Sequence, residues 1–119
     1  LEAMSSACGY ITGEHDFACF QSSGGTPRES TVRTVYSLGL RRLEEDPDEI
    51  VLTIVGNGFL YNMVRIITGT LVEVGLGKRS AESVRLAIES KDRSMAGIIA
   101  PAGGLWLDEV FYGEHFDGN

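Results

Sequence analysis

Apolar side chains recur at helical intervals at the start of the chain. Met4, Cys8 and Ile11 fall on one face of a helix that begins at Leu1 and is predicted to end near Thr12. Residues 13–28 are polar and rich in glycine and serine, so we expect them to form a loop.

Two runs with strand-like patterns follow this predicted loop. Residues 31–43 alternate between apolar and polar positions, which predicts a half-exposed strand. The residues expected on its two faces are Val32, Tyr36, Leu38 and Leu40 on one, and Arg33, Ser37, Gly39 and Arg41 on the other. Residues 50–55 are rich in β-branched and apolar residues, as in a strand buried on both faces. The polar turn at residues 44–48 makes these runs an antiparallel hairpin.

Helical patterns dominate the second half of the chain. Ten of the sixteen residues from 59 to 74 are apolar, which predicts a mostly buried helix. Ser80 is expected to cap a further helix that continues to about Glu89, and residues 105–112 are predicted to form a final strand. This order of elements indicates an α+β fold, with an antiparallel sheet of about three strands and helices packed on one face.

A narrow polar stripe interrupts the apolar surface of the central helix. On a helical wheel, the stripe spans roughly 80°. It contains Asn62, Arg65, Gly69 and Glu73. A surface helix usually has a wider polar face, so the stripe indicates a cleft, an interface or a thin strip of solvent. Gly69 leaves room there for another backbone or a ligand to come close.

Spacing alone leaves two interpretations of Arg65 open. It is either a surface cation on a slim polar face or a buried cation, which needs a partner because an unpaired buried charge is costly. Glu73 is two turns away, roughly 12 Å along the axis, so the carboxylate for a buried Arg65 has to come from elsewhere. The small-residue run at 100–104 is also open: it is a plain turn before an edge strand or a loop that admits a substrate.

Composition and charge narrow the functional classes. The 119 residues suit one domain, and 43% hydrophobic content is normal for a packed core. No apolar run reaches the ~18 residues of a membrane-spanning helix, and we see no signal peptide. The net charge of −7 has the wrong sign for a protein that binds nucleic acid without help from another segment. Any contact with RNA therefore has to come from a local basic patch or be shared with another segment. Cys8 and Cys19 fit no zinc or redox spacing, so we expect reduced thiols, no metal and a cytoplasmic location.

Four ordered motifs resemble those of one enzyme family. Residues 57–71 resemble the N-x-F-x-x-x-M-V-R-x-I-x-G motif of the TruA-type tRNA pseudouridine synthases. Residues 13–20 resemble that family's G-E-H-D-F-x-x-F motif, and residues 31–35 are similar to its T-x-R-x-I strand. Residues 92–107 are similar to its D-R-x-x-A-G-x-x-A-P-A-x-G-L-x-L motif.

The resemblance implies an RNA-modifying activity. Enzymes of this family isomerise uridine to pseudouridine at positions 38 to 40 of the tRNA anticodon stem-loop, without a cofactor or a metal. They break the bond between ribose and uracil, turn the base and rejoin it through C5. Their fold is α+β around an antiparallel sheet, and they act as homodimers. The partners that the resemblance implies are therefore tRNA and a second copy of the full-length protein.

The resemblance also implies roles for five residues of this chain. Arg65 matches the arginine that pairs with the catalytic aspartate, and Leu105 matches a leucine of the uracil pocket. Asn62, Arg33 and Arg93 lie in the matched motifs and are expected to contact the substrate. The aspartate belongs to a G-R-T-D motif that this sequence lacks. We therefore expect residues 1–119 to be the C-terminal half of the enzyme, inactive without the N-terminal half that carries the aspartate.

Two other functions fit the sequence. A basic cluster motivates a non-catalytic RNA-binding module, since Arg33 and Arg41 share one face of the predicted strand. The cluster consists of Arg28, Arg33, Arg41 and Arg42. Apolar surface on the two later helices motivates instead a purely structural dimerisation domain.

Overall fold

The computed structural model describes residues 2–22, 30–42, 44–45 and 50–100, together with the backbone of residues 106–111. Its helices and strands, in chain order, are α1 (Glu2–Ile11), β1 (Gly13–Asp16), β2 (Val32–Arg42), β3 (Ile50–Gly56), α2 (Met63–Gly75), α3 (Glu82–Ser90) and β4 (Trp106–Phe111). Two 3-10 turns, Ala18–Phe20 and Arg93–Met95, lie between them. No helix in the described part of the chain combines the length and the apolar character needed to cross a membrane.

The four strands form one sheet in the order β1-β2-β3-β4. The first three strands are antiparallel, which confirms the predicted α+β class. The three helices contribute side chains to the core on one side of these strands. The loop prediction was wrong for residues 13–16, because a four-residue edge strand is too short to show an alternating pattern. β4 runs parallel to β3, so the sheet as a whole is mixed. The connection between these two strands contains α2 and α3, as a parallel crossover requires.

A β-bulge interrupts the regular pairing of β2 with β3. Val35 pairs with Gly56 while Ser37 pairs with Val55, so β2 advances two residues where β3 advances one. Tyr36 is the extra residue. The side chains of β2 therefore alternate in opposite phase before and after the bulge.

This change of phase overturns the predicted faces of β2. Val35 is buried in the core, whereas Val32 is 42% exposed and Tyr36 is 54% exposed. Strict alternation had placed Val32 and Tyr36 together with the core-facing leucines. For the same reason Arg33, before the bulge, and Arg41, after it, lie on opposite faces of the sheet. The prediction that these two arginines share a face was wrong.

The core lies between the helices and the inner face of the sheet. α1 buries the predicted face of Met4, Cys8 and Ile11, and it packs against α2, α3 and β2. Phe17 and Phe20 follow β1, are fully buried, and stack at a centroid distance of 6.1 Å. The segment that follows α1 and β1 is therefore anchored in the core by these two side chains.

α2 begins four residues later than its apolar pattern predicted. Phe59 and Leu60 are fully buried, but they precede the helix. Asn62 is the N-cap and has a left-handed backbone with φ of 59°, which a right-handed helix cannot contain. The helix therefore starts at Met63 and carries Arg65 in its first turn.

Candidate functional site

Arg65 is held by a backbone segment from the far end of the described chain. Its Nε donates to the carbonyl of Ala100 at 2.9 Å, and the amide of Ala100 donates back to the carbonyl of Arg65 at 3.0 Å. The side chain is partly buried. Among the residues that the structure describes, no carboxylate forms an ion pair with Arg65. Because Nε is engaged, a carboxylate that approaches Arg65 meets the terminal nitrogens Nη1 and Nη2.

Residues 96–100, which we call the strap, lie along the polar stripe of α2. The amide of Gly97 donates to Oγ1 of Thr70 at 2.8 Å, and Ala100 reaches Arg65 further toward the start of the helix. At Gly69, a Cβ atom would lie 1.8 Å from the carbonyl oxygen of Ile98. A side chain cannot occupy that space, so Gly69 is required for the strap to contact the helix backbone.

A partly buried ion pair anchors the strap at its other end. Oε1 of Glu73 lies 3.3 Å from Nη1 of Arg79, and the two side chains are only 22% and 15% exposed. Oε2 of Glu73 accepts from the amide of Ile98 at 3.3 Å. Nη2 of Arg79 donates to the carbonyl of Met95 at 2.6 Å, just before the strap. Sequence reasoning considered Glu73 only as a partner for Arg65 and did not identify Arg79.

The polar stripe is therefore covered along part of its length by the chain itself. Of the two occupants considered for the space at Gly69, the structure shows a backbone, that of Ile98. Asn62, at the start of the stripe, donates through Nδ2 to Oγ of Ser22 at 3.1 Å. Arg65 and Asn62 share this end of α2.

The other predicted site residues are distributed differently. Arg93 supports the strap, since its Nη1 donates to the carbonyl of Gly97 at 2.7 Å. Arg33 donates to the carbonyls of Ser30 and Val32 at the start of β2. Leu105 lies outside the described residues. The structure thus brings Arg65, Asn62 and Arg93 to α2 and its strap, while Arg33 belongs to the sheet.

The motif at residues 13–20 has a structural explanation. Oδ1 of Asp16 accepts from the amide of Ala18 at 3.1 Å and from the hydroxyl of Thr31, which joins β1 to the start of β2. Phe17 and Phe20 fill the core. The aspartate of this motif is therefore engaged in holding the local backbone.

The two cysteines are unsuited to nucleophilic chemistry. Both are free and buried, and burial had been predicted for Cys8. Burial raises the pKa of Cys8 to about 11 and that of Cys19 to about 12, so both remain protonated thiols near neutral pH. In the described ranges, no group of three or more histidine, cysteine or acidic side chains is placed to hold a metal ion.

Comparison with known proteins matches most of this chain to one family. A family model described as tRNA pseudouridine synthase matches residues 7–113. The chain is 49% identical over 112 residues to tRNA pseudouridine synthase A of Clostridium kluyveri. It is 51% identical to the proteins of that name from Acetivibrio thermocellus, over 113 residues, and Brevibacillus brevis, over 112 residues. Each match covers 94% of this chain but 44% of the relative, so the chain spans less than half the length of these relatives.

Proposed function

The chain belongs to the tRNA pseudouridine synthase family, and from this membership we propose that it supplies one part of an active site that isomerises uridine to pseudouridine in tRNA. The observation that carries the proposal is the position of Arg65, which lies within the family match and is held by Ala100 without a carboxylate partner among the described residues. An arginine oriented in this way is suited to receive a carboxylate from another segment.

The role that we propose for Arg65 is electrostatic. A guanidinium close to a carboxylic acid stabilises its ionised form, which lowers the pKa of the acid and fixes its orientation through two hydrogen bonds. The aspartate would come from the segment that the relatives have outside the matched region. The target uridine would have to leave its base stack before this pair could reach it.

The remaining predictions follow from the family resemblance. We propose that the substrate is the anticodon stem-loop at positions 38 to 40, and that Leu105, Asn62, Arg33 and Arg93 contact it. We propose further that this chain acts as the C-terminal half of a homodimeric enzyme in the cytoplasm. For Arg93, the bond to Gly97 supports a contribution through the strap.

The direct test measures tritium release from tRNA labelled at C5 of uridine, because rejoining the base through C5 displaces that hydrogen. We expect no release with the 119-residue chain alone, and release when it is joined to the segment that its relatives carry beyond the match. In the joined enzyme, Arg65→Ala is expected to lower kcat well beyond tenfold. Arg85→Ala, on the exposed surface of α3, is the matched control and is expected to have no effect.

Two results would overturn the proposal. Release by the isolated chain would show that its own residues complete the site. An unchanged kcat after Arg65→Ala in the joined enzyme would remove this arginine from the chemistry.

The alternative of a non-catalytic RNA-binding module is less well supported. Its motivation was a single basic face of β2, but the bulge places Arg33 and Arg41 on opposite faces. Arg28 lies outside the described residues. Titration of the isolated chain with tRNA at two salt concentrations tests this alternative, since a phosphate-binding surface shows affinity that falls steeply with salt.

A further inference from the structure

We propose that Glu73 is a positioning residue, which holds the strap against α2 and thereby orients the guanidinium of Arg65. The two side chains belong to the same helix but lie eight residues apart, about 12 Å along its axis. Glu73 therefore acts on Arg65 through the strap and not by contact. This inference rests on the proposed function for its catalytic consequence, while the mechanical part is independent of that function.

The first step is the attachment of the strap by Glu73. One carboxylate oxygen accepts from the amide of Ile98, and the other pairs with Arg79, which in turn donates to the carbonyl of Met95. Nε of Arg79 also donates to Oγ of Ser83, at the start of α3, at 2.8 Å. One carboxylate thus joins α2, the strap and the beginning of α3.

The second step is the tight packing of the strap against α2 between Glu73 and Arg65. Gly97 packs so closely against α2 that a Cβ atom there would lie 2.8 Å from Cα of Thr70 and 2.9 Å from Oε1 of Glu73. Ile98 touches the backbone at Gly69, and only one residue separates it from Ala100. Because consecutive Cα atoms are about 3.8 Å apart, we expect a displacement of Ile98 to reach the carbonyl of Ala100.

The third step is the dependence of Arg65 on that carbonyl. Among the described residues, the side chain of Arg65 donates one hydrogen bond, from Nε to the carbonyl of Ala100, and this bond orients Nη1 and Nη2. Misplacing a reacting group by about 1 Å can lower the rate by up to about 10²-fold. Loss of the Glu73 anchor is therefore expected to reduce turnover, although Glu73 does not contact Arg65.

The experiment compares Glu73→Ala and Glu73→Gln with Glu89→Ala in the enzyme that joins this chain to the remaining segment of its relatives. Glu89 also pairs with an arginine, Arg85 of its own helix, and among the described residues it forms no hydrogen bond or ion pair with the strap. We expect Glu73→Ala to lower kcat by about five- to twentyfold, with KM for tRNA changed less than twofold. Glu73→Gln keeps an acceptor for the amide of Ile98, so a smaller loss is expected. Glu89→Ala is expected to leave both constants unchanged.

A second measurement needs no activity. Hydrogen exchange of the Ala100 amide, followed by NMR in the 119-residue chain, reports the bond between Ala100 and the carbonyl of Arg65. We expect exchange at Ala100 to become at least tenfold faster in both Glu73 variants and to be unaffected by Glu89→Ala. A simple loss of global stability would instead accelerate the slow amides of α1 and β3 equally.

These outcomes separate the positioning role from the proposed function. Unchanged exchange at Ala100, or a kcat for Glu73→Ala equal to that of Glu89→Ala while Arg65→Ala is strongly impaired, would overturn the positioning role alone. If Arg65→Ala is fully active, the proposed function fails, and faster exchange at Ala100 still supports the mechanical link. A Glu73→Ala protein that does not fold leaves Glu73→Gln to decide by the same two readouts.

Discussion

Arg65 and Arg85 lie on consecutive helices but have opposite surroundings. Arg85 pairs with Glu82 at 2.6 Å and with Glu89 at 2.8 Å, three residues before it and four after it on the surface of α3. The hydrogen bonds that Arg85 donates to Glu82 and then to Glu89 raise the pKa of Arg85. Arg65 is partly buried, and its side chain donates to a backbone carbonyl.

The difference shows how to recognise, from the sequence of a helix, an arginine whose partner lies outside that helix. Side chains three and four residues apart are neighbours on a helix, so a surface arginine commonly finds its acids there. The corresponding positions around Arg65 are occupied by Tyr61, Asn62, Thr68 and Gly69. None of these is acidic, although the protein as a whole has 17 acidic residues against 10 lysines and arginines. The absence of local acids agrees with a carboxylate partner from another segment.

Replacing each arginine by lysine is the strongest way to test this contrast. A lysine keeps the charge, but it has a single ammonium group and cannot bind Ala100 and a carboxylate with the separate nitrogens of a guanidinium. We expect Arg65→Lys to lower kcat of the joined enzyme more than tenfold and Arg85→Lys to leave it unchanged. Tritium release from labelled tRNA measures both. Equal activity of the two variants would mean that charge alone matters at Arg65.

The sequence indicated the candidate site residue Arg65 more directly than the contacts that hold it in place. The narrow stripe on α2 and the matched motif both identified Arg65, because helical periodicity is a local property. The strap could not be predicted, since the contacts of Ala100 and Ile98 with α2 join residues 25 to 35 positions apart. One signal was available: glycine in a buried helix suggests close approach of a backbone, and Gly69 shows that contact.

Two errors in the predicted fold, those in the faces of β2 and in the start of α2, share a cause. Alternation predicts faces only while the register is constant, and the bulge at Tyr36 changed it within β2. The start of α2 was misplaced because the apolar residues Phe59 and Leu60 are buried in the loop that precedes the helix. An apolar pattern alone does not distinguish a buried loop from a helix. Both features depend on tertiary packing that acts on a short stretch of sequence.

Alanine at two helical glycines gives a smaller but sharper test of the strap. Alanine is normally about 1 kcal/mol more favourable than glycine in a helix. Gly9 in α1 has no heavy atom within 4 Å of an added Cβ, so Gly9→Ala is expected to stabilise the chain by about 0.5–1 kcal/mol. Gly69→Ala has to displace Ile98 and is expected to destabilise it by about 1–3 kcal/mol. Denaturant unfolding of the 119-residue chain checks the opposite signs, and stabilisation by Gly69→Ala would show that the strap is not packed as described.

The smallest expected effect is that of removing the surface arginine. In Arg85→Ala two exposed ion pairs are lost, and such pairs contribute little because water and salt screen them. We expect the midpoint of thermal unfolding to fall by no more than about 2 °C at low salt. The difference should vanish in 1 M NaCl, where the Debye length is about 3 Å. A larger loss that persists at high salt would mean that Arg85 stabilises the fold by packing, and it would then no longer serve as a reference for an arginine without a structural task.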